Sequence, residues 1–98
     1  MPDEYIPVAC NLAAIGDRAR YQRLSSALRT AVTGRAERAD GFEYSLDLHI
    51  LSLDEVREWM TLERECCPFL HFELSTAGRL TLTGPEGTKE ILDREFPA

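Results

Sequence analysis

The stretch Asp40-Gly41-Phe42-Glu43-Tyr44-Ser45-Leu46-Asp47-Leu48-His49-Ile50-Leu51-Ser52-Leu53-Asp54-Glu55 contains a change of period that decides the fold class. Asp-Gly ahead of an alternating run is a hairpin turn signal. Phe42, Tyr44, Leu46 and Leu48 then face one way, and Glu43, Ser45, Asp47 and His49 the other, as in a strand with one buried face. At Ser52 the period changes. Ser-Leu-Asp-Glu, with Glu55 three residues after the serine, is a capping box. Val56, Trp59, Met60 and Leu62 carry the pattern on at helical spacing.

Working toward the amino terminus, a polar strand is expected around 35–39, paired through the Asp40-Gly41 turn. Before it, Tyr21, Leu24, Leu28 and Ala31 mark a helix that Asp17 would cap and that Gly34 would close in a left-handed C′ conformation. Residues 5–12 read as a further strand, with Ile6, Val8 and Cys10 on one face. Toward the carboxyl terminus, Pro68 ends the second helix, because the residue before a proline is pushed out of the α region. Leu70, Phe72 and Leu74 form a one-sided strand, and a turn at Ala77-Gly78 leads to a partner strand with Leu80 and Leu82. Thr83-Gly84-Pro85-Glu86 reads as a second capping box, opening a short helix that buries Ile91 and Leu92.

The order β-α-β-β-α-β-β-α makes residues 1–98 a single α+β domain. Its first six elements match a ferredoxin-like β-α-β-β-α-β sandwich, with an extra strand and a short C-terminal helix appended. Alternation in three strands leaves the second sheet face polar. That face is either exposed or paired with another subunit, which makes a homodimer one of the expected partners.

The chain's 98 residues suit one domain and are enough to bury a core without disulfide staples. Eleven basic residues against 17 acidic ones give a net charge of −6, a field that repels phosphate backbones and anionic lipid. Nucleic acid and membranes are therefore poor candidates. Arg18, Arg20, Arg23 and Arg29 share one helix and read as its solvated face. No apolar run reaches the ~18 residues of a membrane span. The acidic start, Met1-Pro2-Asp3-Glu4, is unlike a secretory signal. Three cysteines, two of them adjacent, make a poor disulfide framework, so reduced thiols in a cytoplasm are expected.

Cys66 and Cys67 end the second helix, immediately before Pro68. In a ferredoxin-like topology the fourth strand would run beside the first, bringing Cys10 to the pair. Three thiolates suit a soft ion such as Zn(II), Cu(I) or Hg(II). Glu63 lies one turn before Cys67 and could add a ligand or an auxiliary base. The partial negative charge of a helix carboxyl end favours a cation over an activated thiolate nucleophile, so the reading leans away from an enzyme and assigns no catalytic residue. Two alternatives stay open: a thiol-disulfide protein cycling a bond between Cys10 and one of the pair, and cysteines that only pack. Adjacent side chains on a helix diverge by ~100°, so one of the pair should lean toward the domain edge. His49 and His71 read as surface residues of the sheet, and Trp59, Phe69 and Phe72 as core. The segment 84–89 lacks the spacing of a phosphate loop.

With these residues identified, the chain resembles a group of small bacterial proteins. They share a Glu-Arg-x-Cys-Cys-Pro-Phe segment, followed by a strand and a Leu-Thr-Gly-Pro-x-Gly-x-Lys segment. Here these are Glu63-Arg64-Glu65-Cys66-Cys67-Pro68-Phe69 and Leu82-Thr83-Gly84-Pro85-Glu86-Gly87-Thr88-Lys89. The group tends to carry an early cysteine, matched by Cys10. Such sequences occur near or fused to regulators of the mercury-resistance type, and the resemblance therefore implies heavy-metal handling. It brings no activity with it, and the chain lacks a helix-turn-helix of its own.

Overall fold

The computed structural model describes residues 12–96. After a 3-10 turn at Leu12–Ala14 come α1 (Arg18–Ala31), β1 (Val32–Arg38), β2 (Gly41–Leu46), α2 (Leu53–Cys66), β3 (His71–Leu74), β4 (Arg79–Thr83) and α3 (Thr88–Glu95). The strands form one antiparallel sheet in the order β1-β2-β4-β3. The α+β class is as expected. The strand order is not that of the ferredoxin-like reading, in which the first strand would sit between the two that flank β4 here. β4 lies in that central place, hydrogen-bonded to β2 on one side and β3 on the other. Of the strand expected at 5–12, residues 5–11 lie outside the described residues, Cys10 among them, and Leu12 opens the 3-10 turn.

Period decides which side of the sheet is buried. Phe42, Tyr44 and Leu46 of β2, Leu80 and Leu82 of β4, and Phe72 of β3 are all buried. They meet Tyr21, Leu24 and Leu28 of α1, Val56, Trp59 and Met60 of α2, and Ile91 and Leu92 of α3 in one core. Trp59 is fully buried and stands edge-on to both Phe72 and Phe96. Its Nε1 donates to Ser25 Oγ at 3.0 Å, which satisfies the indole and ties α2 to α1. Arg20 adds a two-pronged ion pair to Glu58 across the same helix pair. Leu48 packs against the core from a turn, because β2 ends at Leu46. For the same reason His49 sits on that turn and not on the sheet, its N–H donating to Asp47 Oδ1. No described helix is long and apolar enough to cross a membrane.

The helix ends test the local reading. Asp17 caps α1 by accepting from the Arg20 N–H, and Ser52 and Glu55 close the expected capping box on α2. Replacing Ser52 with alanine should cost ~1 kcal/mol, a fall in Tm of roughly 4–8 °C. A thermal melt unchanged within error would mean that the cap is redundant.

Two other ends differ from expectation. Gly34 closes nothing: α1 stops at Ala31, Val32 is already extended, and Gly34 lies within β1. The helix runs straight into the strand, so no left-handed residue is needed. The second expected capping box is also absent. Gly87, at φ 98°, is the residue before α3, and no side chain caps it. A turn over Pro85–Thr88, closed by the Thr88 N–H on the Pro85 carbonyl, delays the helix past Glu86.

Candidate functional site

The buried stripe of α2 is Val56, Trp59, Met60, Glu63 and Cys66. Helical spacing carries the carboxyl of Glu63 onto a face that is otherwise apolar, and the packing of α1 and α3 seals it in. Glu63, Cys66 and Cys67 are each wholly inaccessible to solvent. One oxygen of Glu63 and the two sulfurs all lie within 4.8 Å of one another. Both cysteines are therefore inside, contrary to the expected divergence. The reason is local: α2 ends at Cys66, and Cys67 leaves the helix with φ −126° and ψ 74°. That kink turns its side chain back beside its neighbour's.

The two sulfurs stand 3.5 Å apart, a contact and not a bond. Cys67 is nevertheless disulfide-bonded. Of the predicted site, then, Glu63, Cys66 and Cys67 come together, and Cys10 lies outside the described residues.

Tyr21 on α1 holds one side of Glu63. Its Oη donates to Oε1 at 2.6 Å, and among the described residues no hydrogen bond of normal geometry reaches Oε2. Burial, and then the neighbouring charge of Glu95, push its carboxyl up to about 9. Burial, and then the charge of Glu63, raise the Tyr21 phenol as well. Glu95, at the last turn of α3, is raised by burial, with Glu63 and then Arg29 working against that rise. The carboxyl pair thus prefers to hold protons in the folded chain.

Glu95 was not legible as part of the site. It ends a short amphipathic helix, and only the packing of α3 brings it to α2. It also lines a surface depression of about 230 Å³ with Tyr21, Gln22, Ser25, Arg29 and Phe96. Neither described histidine belongs here: His71 is exposed on β3, 3.6 Å from Glu73. Arg64 lies over the Phe72 ring, 4.9 Å from its centroid.

Fold and site together define a small α+β domain with two sulfurs and a carboxyl sealed under three helices and a sheet. Comparison with known protein families, with curated proteins and with solved structures finds no match.

Proposed function

We propose that the reduced chain binds one soft metal ion through Cys66 and Cys67, with Glu63 as an oxygen ligand and Cys10 as a third thiolate. The observation that carries this reading is the sealed cluster itself: two sulfurs and a carboxylate oxygen within 4.8 Å. Around a tetrahedral ion with ~2.3 Å metal–sulfur bonds, sulfurs sit about 3.8 Å apart. The 3.5 Å separation of Cys66 and Cys67 is close to that. A buried carboxyl with one oxygen lacking a hydrogen bond among the described residues carries a desolvation cost of about 1–3 kcal/mol, which ligation would offset. The carboxyl end of α2 adds a field that favours a cation. The resemblance to proteins found beside mercury-resistance-type regulators agrees with this chemistry.

The test is anaerobic titration of the reduced chain with Zn(II), Cu(I) and Hg(II), followed by thiolate-to-metal absorbance and calorimetry. One equivalent should bind, and binding should weaken as pH falls, because the ligands must lose protons. Cys66→Ser or Cys67→Ser should lower affinity more than about a hundredfold, and Glu63→Gln by about ten- to a hundredfold. Absence of tight binding by a folded, reduced chain would remove this reading.

One observation favours a second reading, a thiol-disulfide redox role. Cys67 is disulfide-bonded with the Cys66 sulfur 3.5 Å away, close enough for exchange. Cys10 is the chain's remaining cysteine. Under this reading a dithiol reductant would convert the bond to two thiols in a reversible two-electron step, without metal. Thiol alkylation across a graded glutathione buffer would show a single reversible transition. A bond that resists all but strong reductants would leave it structural.

A further inference from the structure

We infer that the outer edge of β1 pairs with the same edge of a second copy of this chain, antiparallel and centred on Ala36. Two backbone hydrogen bonds fix which groups of β1 point outward. The Leu46 N–H donates to the Gly78 carbonyl, and the Gly84 N–H to the Asp40 carbonyl. Asp40, just before β2, and the even-numbered residues of β2 therefore aim their backbone groups at β4. In an antiparallel sheet such groups alternate sides, so Gly41, Glu43 and Ser45 aim theirs at β1. Their partners there are Arg38, Ala36 and Gly34. The N–H and C=O of Arg35 and Glu37 are left pointing away from the sheet. Among the described residues no strand pairs with that side of β1.

An open edge of seven residues is a template for another strand. Charges commonly blunt such an edge, and here their order has the opposite effect. In antiparallel pairing centred on Ala36, Arg35 of each copy faces Glu37 of the other. That register also sets their outward N–H and C=O groups against one another, giving four hydrogen bonds. Directly opposed side chains in a sheet are ~5 Å apart at Cβ, within reach of an ion pair.

Both side chains are already held on the α3 side of the sheet. Arg35 bonds Asp93 at 2.5 Å and lies 4.1 Å from the centroid of the Phe42 ring. Glu37 bonds Lys89 at 2.6 Å. Two such rows would meet as alternating charges across the seam. At the other end of the sheet β3 offers only four residues, so the longer edge is the one assigned. The occupant is a second copy because backbone register and charge order are both self-complementary about one residue.

Sedimentation velocity of the full chain across a concentration series tests this, with circular dichroism confirming that each variant folds. The unaltered chain should show a monomer–dimer equilibrium that weakens with salt. Glu37→Arg sets two guanidinium groups against each other and should raise the dissociation constant at least tenfold. The exchange R35E/E37R should restore it. Glu37→Pro removes an N–H that the monomer does not use, and should abolish the dimer while the chain stays folded. A chain that is monomeric throughout, or a dimer indifferent to Glu37→Pro, would overturn the assignment.

Discussion

Between pH 5 and pH 8 the fold should lose stability on the order of a few kcal/mol, and Glu63→Gln should remove most of that loss. Glu63 has an ordinary value of 4.5 and is pushed to about 9 in the folded chain, so the folded state binds more protons than the unfolded one. Stability then falls as pH rises wherever that difference persists, at up to ~1.4 kcal/mol per pH unit per group. The contribution is fully present below about 4.5 and drains away as pH climbs toward about 9. Glu95, also raised by burial, acts in the same sense.

Glu37, Glu43 and Glu58 act oppositely. Hydrogen bonds from Lys89, Arg38 and Arg20 hold their carboxyls below the ordinary value, so their contribution is lost as pH falls through the acid range. They are exposed surface pairs of small effect, so the maximum should lie near pH 5. A glutamine keeps the shape of Glu63 and can still accept from Tyr21, but it carries no proton to lose. Urea unfolding of the metal-free chain and of Glu63→Gln at several pH values gives the comparison. Parallel profiles would show that Glu63 does not titrate as its burial demands.

Gly41→Ala should destabilise the fold by about 3 kcal/mol or more, lowering Tm by roughly 12 °C or more. A Cβ at Gly41 would stand 1.8 Å from the Leu82 carbonyl oxygen and 2.8 Å from Thr83 Cα, both main-chain atoms of β4. No rotamer relieves a clash with backbone, so β2 and β4 would have to separate at the sheet's centre. Gly34 is the internal control. Its nearest neighbour to a new Cβ is Ser45 Oγ at 4.0 Å. Gly34→Ala should therefore be neutral or stabilise by ~0.4–1 kcal/mol, through the lost freedom of the unfolded chain. Equal melts for the two variants would mean that the strand spacing relaxes at no cost.

The legible parts of this chain are those settled by near neighbours. The period-2 run from Phe42 and the Ser52–Glu55 box need only residues within one turn or one strand, and both stand in the structure. The reading failed at Gly34 and at Thr83–Glu86, where a plausible local signal lost to the path the chain takes. Val32 pairs with Leu46 at once, and the Pro85–Thr88 turn postpones α3. At the candidate site, Glu63 and the cysteines were visible as residue types at helical spacing. That both cysteines are sealed inside follows from one non-helical residue, Cys67, which no period encodes.

By itself, then, the sequence determined the α+β class, the helix starts at Asp17 and Ser52, the buried faces, and the nearness of Glu63 to Cys66 and Cys67. These depend on side-chain period and on hydrogen bonds spanning three or four residues. Tertiary structure alone decided that β4 lies between β2 and β3 and that Glu95 comes to rest beside Glu63. It also decided that Gly41 has no room for a methyl group. Strand order and the meeting of α2 with α3 depend on which surfaces exclude water together. That choice is made among residues tens of positions apart, and no local pattern records it.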